Sequence, residues 1–407
     1  MRHSDEVFRR SPLRSRSQKP DLSLEAPAGR LRDELELRHR PHGTILDPIF
    51  ESPKSPRVDR YTRGGDSAIW TGHYLAAEAY RWAVTQSPDA LSNIRSLVGA
   101  IGNLVRVTGT GLLARVFLPA DSPWLLAVRE EELRLGAYAD QFDGRAVVWI
   151  GNTSRDQYLG VFFGLSVAFE HVSEVRGEIR TIITEALEFL LQNNWAVRMP
   201  SGETSTVFWQ RVDQRLALLQ VGRQVNDDRF SRPYRDERFL GSLSIGAPIV
   251  AEVADAHSSY FKFNLVAIGM FCLIRSELSD THRERYLDAY RIFRRTTDDH
   301  GNAHFNLIDR AVEGPDSRRD AETRDLLARW LRRPRRDWFV DLRDALPACG
   351  DNRACSAIPV ESRVNTDFLW QRSPFQLSGG GGGFIETAGI DFLLPYWMGR
   401  YYSVLEP

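Results

Sequence analysis

Three times in this chain a helix-length stretch that is apolar on nearly every face is followed by one that is apolar on a single face. Few folds can use that alternation. Residues 66–84 carry Ile69, Trp70, Tyr74, Leu75, Ala76, Ala79, Tyr80 and Ala83 around most of a helical circumference. After Ser87-Pro88 come Leu91, Ile94, Leu97, Val98, Ile101, Leu104 and Val105, a single stripe at helical spacing. Residues 156–172 are again apolar all round, and Ile179, Ile182, Ile183, Ala186, Leu187, Leu190 and Leu191 then form a clean stripe. Residues 261–274 and 281–294 repeat the pair. A helix without a polar face must be covered on all sides, whereas a striped helix faces water on one, so the alternation predicts a double-layered helical toroid. A superhelical solenoid explains the same pattern, and an irregular helical bundle is the plainer alternative. The unequal pair lengths and the long polar loops favour the closed toroid.

Further helical segments are expected at 208–225, 302–312, 321–331 and 390–401, and the best strand signal is Ala146-Val147-Val148-Trp149-Ile150. Residues 1–60, rich in Arg, Pro and Ser, read as a partly irregular N-terminal arm with a short helical possibility at 31–37. Residues 61–407 read as a single barrel domain with a long loop insertion at about 332–389. Long connections at 107–153, 194–207, 226–257 and 332–389 each precede an apolar helix, which gathers them at the end where the inner helices start. Loops at one mouth of a rigid barrel are where binding and chemistry usually sit. The last of them contains Gly379 to Gly383, expected to act as a hinge or flap or to be a solvated linker. No GK[ST] follows it, so it is no phosphate loop.

Charge is balanced, 53 basic against 54 acidic residues, so no overall field draws the chain to nucleic acid. No apolar run approaches the ~20 residues a membrane-spanning helix needs, and the first twenty residues lack an apolar signal-peptide core. Neither a nucleic-acid nor a membrane partner is expected, and the oligomeric state is left open. The missing signal points to the cytoplasm, whereas a bridge between Cys349 and Cys355 would favour an oxidising compartment. Cys272 reads as a buried core thiol.

Asp66 and Asp156 each sit at the start of an all-apolar helix, beside Trp70 and His73 in one case and Arg155, Gln157 and Tyr158 in the other. Each acid is either a helix-start residue favoured by the dipole or, with its counterpart, half of a general acid/base pair at the mouth. Residues 257–264 bring His257, Tyr260, Lys262 and Asn264 to the start of the third apolar helix, where Lys262 either anchors a substrate carboxylate or meets an acidic neighbour. The last loop offers Trp370, Gln371 and Arg372, with Glu386 as a third acid. Trp70, Trp149, Trp209 and Trp370 suit sugar stacking as well as ordinary core. His300 and His304 have the i, i+4 spacing of metal ligands, but no Glu completes HExxH, so no metal and no cofactor is expected. GxSxG is absent, which leaves acyl chemistry without support.

With these residues in view, the chain resembles the six-hairpin, (α/α)6-toroid glycosidases, distantly the unsaturated glucuronyl and rhamnogalacturonyl hydrolases, whose two essential Asp lie at the N-terminal ends of inner helices. Asp66 before Ser67-Ala68-Ile69-Trp70-Thr71-Gly72 and Asp156 before Gln157-Tyr158-Leu159-Gly160 match that placement. The His-Asp pair that often marks the first acid in those hydrolases is missing. The resemblance covers about 60–330 and 384–402 and implies an all-α toroid and a glycoside hydrolase acting on an oligosaccharide or glycoside. A sugar epimerase or polysaccharide lyase using His257 or His304 with Tyr260 is the enzymatic alternative, and a glycan-binding or scaffold protein the non-enzymatic one.

Overall fold

A computed structural model describes residues 22–131, 136–257 and 259–406. The chain opens with α1 (Leu22–Arg38), then β1 (Asp47–Phe50) and β2 (Val58–Thr62). α2 (Ser67–Thr85) and α3 (Pro88–Arg106) follow, then β3 (Val116–Pro119), α4 (Leu125–Glu131), β4 (Ala137–Phe142) and β5 (Arg145–Ile150). α5 (Arg155–His171) and α6 (Arg176–Gln192) lead through the hairpin β6 (Ala196–Arg198) and β7 (Thr204–Val207) to α7 (Val212–Val225), α8 (Asp227–Ser244) and α9 (Gly246–Glu252). The last part comprises α10 (Phe261–Arg275), α11 (Asp280–Thr297), α12 (Ala303–Val312) and α13 (Ser317–Trp330), then β8 (Arg336–Asp341), β9 (Ser378–Glu386) and α14 (Ile390–Tyr401).

Helices α2, α5, α7, α10, α12 and α14 touch in that order, and α14 returns to α2, which closes an inner ring. Each has an outer partner: α3, α6, α8, α11 and α13 pack on the five preceding staves, and α1 packs on α14. The burial matches the apolar pattern. In α2 every residue from Ser67 to Arg81 is buried, whereas α3 buries Ile94, Leu97, Val98, Ile101, Leu104 and Val105 on one side. α2 and α5 cross closely because the contact is made of glycine: a Cβ at Gly72 would overlap the Gly160 carbonyl, and one at Gly164 would overlap that of Gly72. No described helix is long and apolar enough to cross a membrane.

The structure amends the expected architecture in four places. Sheets join the helices: β2-β1-β9-β8, β3-β5-β4 and the β6-β7 hairpin, with the expected 146–150 strand inside β5. The helix anticipated at 31–37 runs from Leu22 to Arg38 and buries Leu24, Ala28, Leu31 and Leu35 in the main core, while residues 1–21 of the expected arm lie outside the described residues. The connection expected over 226–257 is largely helical; Pro233 and a dense run of charges hide α8, which buries Phe230 and Tyr234. Gly379 to Gly383 form neither hinge nor flap. They lie in β9, paired with β8, where a Cβ at Gly381 would collide with the Asp337 carboxylate and one at Gly380 with the Trp338 carbonyl.

Candidate active site

The inner staves begin at the end covered by the 332–389 insertion. Gln371 of that insertion reaches Asp66 before α2, the Leu369 amide donates to Asp391 in the first turn of α14, and the Arg363 guanidinium donates to the carbonyls of His300 and Gly301 just ahead of α12. The apolar run Phe368-Leu369-Trp370 is what draws the insertion down: all three side chains are buried.

Asp66 ends a 3₁₀ turn, Gly64–Asp66, and occupies the N-cap position of α2, yet its carboxylate makes no capping bond. It accepts instead from Gln157 Nε2 at 3.3 Å and Gln371 Nε2 at 3.4 Å. The other end of the Gln157 amide accepts the Ile69 N–H at 2.9 Å, so one buried side chain joins the starts of α2 and α5. Asp156, on the same turn of α5 as Gln157, accepts from the Ser154 hydroxyl. Arg115 staples the two acid-bearing turns together, donating to Gly65 O at 2.5 Å, to Asn152 O at 3.0 Å and to Ser154 Oγ at 2.8 Å. Behind Asp66, Arg63 takes the left-handed conformation (φ 61°) and contacts Asp47 at 2.8 Å and Asp367 at 3.3 Å. Burial alone would lower its pKa, but the attraction of Asp367, Asp47 and Asp66 raises it.

A pocket of about 270 Å³ opens next to this arrangement, lined by His257, Tyr260, Asp367, Gln371, Arg372 and Gln376 among others. Arg372 is held by Asp367 at 2.7 Å. Behind the rim lies an aromatic and imidazole cluster. Trp370 is fully buried and stacks on His73 (centroids 5.2 Å, 28°), with His304 4.7 Å away on its other contact; Trp70 meets Phe368 edge-on at 4.7 Å. His73 Nδ1 must donate to the Ile69 carbonyl at 2.8 Å, which leaves Nε2 to accept from Asn264 Nδ2 at 3.0 Å. Burial takes the His73 pKa down to about 4 and that of His304 well below its ordinary value. Neither ring nitrogen of His304 has a protein partner, nor do Trp370 Nε1 and Asn264 Oδ1, although all are buried.

Of the residues anticipated from sequence, the structure brings His257, Tyr260, Gln371 and Arg372 to the pocket lining; Asp66 joins it through Gln371 and in turn holds Gln157; Trp70, His73, Asn264 and Trp370 form the buried cluster; and Asp156 is bonded to Ser154. Two, Lys262 and Glu386, are engaged elsewhere, and a third, Arg155, does not line the pocket. Lys262 meets an acidic neighbour, Glu252, at 3.6 Å, and Glu252 also takes Arg211. Arg155 is half-buried, and burial, then Arg211 nearby, lower its pKa. Glu386 lines neither this pocket nor its neighbour; it faces His39 at 3.6 Å, Arg336 at 3.2 Å and Arg335 at 3.8 Å. His300 lies before α12 and bonds the Tyr260 hydroxyl at 3.0 Å, so it does not share a helical face with His304. Arg63, Arg115, Asp367 and Gln376 were not singled out from sequence, because each acquires its meaning only from partners far along the chain.

No protein-family model matches the sequence, and no curated protein does. Among solved structures, the chain is similar to the cellobiose 2-epimerase from Spirochaeta thermophila DSM 6192, with a TM-score of 0.44 and 10% identity over 95% of this chain and 99% of that one.

Proposed function

We propose that this chain is a carbohydrate-active enzyme, a glycoside hydrolase whose acid/base pair is Asp66 and Asp156. The observation that carries the reading is the state of Asp66: at an N-cap position it leaves its helix uncapped and turns both oxygens to side-chain amides from α5 and from the insertion, beside an open polar pocket. Amide N–H donors on both oxygens suit an accepting carboxylate, which assigns Asp66 to activating water or supporting positive charge at the anomeric carbon. Asp156 is then the group that protonates the departing glycosidic oxygen, with Ser154 and Arg115 orienting it. The separation of the two carboxyl groups in a substrate complex sets the outcome, ~5–5.5 Å for retention and ~6.5–9.5 Å for inversion.

A panel of oligosaccharides followed by mass spectrometry and NMR tests this. Asp66→Asn and Asp156→Asn should leave folding intact and each remove at least ~10²-fold of hydrolysis; full activity in both variants sinks the assignment. A second reading, a sugar epimerase, is favoured by one observation: His73 and His304 lie 6.1 Å apart across the ring beside Trp370, both neutral. Products of unchanged mass with altered sugar stereochemistry, lost in His304→Gln and kept in Asp66→Asn, would replace the hydrolase by that reading. Glycan binding with no turnover would replace both by a non-catalytic one.

A further inference from the structure

The mouth pocket does not end at Gln376. A second pocket of about 360 Å³ shares His257, Ser373 and Gln376 with it and continues to Gly350, Asp351, Asn352 and Arg353, the loop closed by the Cys349–Cys355 disulfide. Each volume alone lies near the small end of the ~300–1,000 Å³ typical of ligand sites; joined, they make a cleft leading away from Asp66.

The far wall is firmly built. The Cys349 amide donates to Arg353 O at 2.8 Å, which closes the loop on itself, and the Ala354 amide donates to Phe375 O at 2.8 Å. Asn352, in the left-handed conformation (φ 51°), receives both the Ser378 amide at 2.6 Å and the Ser378 hydroxyl at 2.7 Å, and returns its own Nδ2 to Ser378 O at 3.0 Å. The loop is thereby fixed to residues 375–378, the same segment that supplies Gln376 to both pockets. Across the cleft, Asp255 accepts the His257 amide at 2.8 Å and pairs with Arg353 at 3.8 Å.

The charges along this cleft alternate in sign: Asp367 with Arg372 at the mouth, Asp255 and Asp351 with Arg353 at the far end. Such a lining supplies donors and acceptors side by side, which suits vicinal hydroxyl groups, while its carboxylates oppose a chain of anionic units. We infer that the disulfide-closed loop forms a distal subsite of an extended cleft, and that its ligand is a neutral oligosaccharide of several units rather than a single sugar or a polyuronate.

The inference rests on the sugar-processing reading of the mouth and is separable from it by isothermal titration of the full chain. The probes are cello-, xylo-, manno- and malto-oligosaccharides of one to six units, with oligogalacturonate of the same lengths. At least one neutral series should gain ~10-fold or more in affinity between one unit and four, the size of a well-placed polar contact. Arg353→Ala, a half-exposed side chain whose loss the fold should tolerate, and the double variant Cys349→Ser with Cys355→Ser should each cut the four-unit to one-unit affinity ratio by about that factor. A ratio near one in the wild type, a gain that survives in both variants, or tighter binding of oligogalacturonate than of every neutral series overturns the distal subsite while leaving the sugar reading in place. Failure of every glycan to bind removes both.

Discussion

His39 and His304 are both sealed from solvent, and their surroundings push their pKa values in opposite directions. His39, at the end of α1, lies 3.6 Å from Asp47 and 3.6 Å from Glu386. These are ion-pair rather than hydrogen-bond distances. Burial disfavours its charged form, but the two carboxylates outweigh burial and raise its pKa. His304 has Trp370, Phe163 and His73 around it and no carboxylate contact, so burial acts unopposed. The difference separates two kinds of interior. A charged seam, with Arg63, Arg335 and Arg336 completing it, fastens β1 and β9 to the first helix, while the imidazoles and indoles at the barrel centre pack without a carboxylate partner among the described residues.

The strongest way to break this contrast is to cut the seam. Glu386→Ala strips His39, Arg335 and Arg336 of a shared buried partner, and removing one member of a buried ion pair costs ~3–5 kcal/mol. Urea unfolding at neutral pH should show a loss of that size; a cost below ~1 kcal/mol would mean that the seam holds nothing together.

The pH dependence of stability should separate the two interiors next. The His73 pKa falls from 6.5 to about 4 on folding, so its contribution is present above pH 6.5 and is lost as pH drops towards 4. At ~1.4 kcal/mol per unit this amounts to about 3 kcal/mol. His304 adds a loss in the same direction. Glu386, lowered to about 2, adds its own between 4.5 and 2. The His39 pKa is raised, so its contribution is full below pH 6.5 and is lost as pH rises through the folded value. Denaturation midpoints measured across pH should therefore flatten on the alkaline side in His39→Gln and on the acid side in His304→Leu. Identical profiles in both variants would contradict the contrast.

The smallest effect sharpens it. Because His304 has no protein partner for either ring nitrogen, His304→Leu at pH 7 should change stability by less than ~1 kcal/mol. A cost of ~3 kcal/mol in calorimetry would show that its nitrogens carry bonds essential to the fold.

The ring was readable in the sequence wherever local burial wrote it. α2, α5 and α10 have no polar face, and α3 and α6 have one clean stripe, so inner and outer roles follow from periodicity alone. α1 and α8 were obscured because their buried positions are few among Arg and acidic residues, with Pro27 and Pro233 inside them. The Gly run was misread because its extended form comes from β8, not from itself. Asp66 and Asp156 could be placed at helix starts, but nothing local says that Asp66 leaves its helix uncapped. That depends on Gln371, some three hundred residues away, as His39 depends on Glu386.

The pairing of α1 with α14 also carries a consequence for the order of assembly. During synthesis the first described helix emerges long before its partner, and Ile49 of β1 must likewise wait for Ile385. Leu24, Ala28, Leu31 and Leu35 lack their α14 cover until residues 390–401 are made, and contacts this distant along the chain make closure slow and prone to misassociation. Until α14 arrives, the nascent ring is an open arc with an apolar first edge.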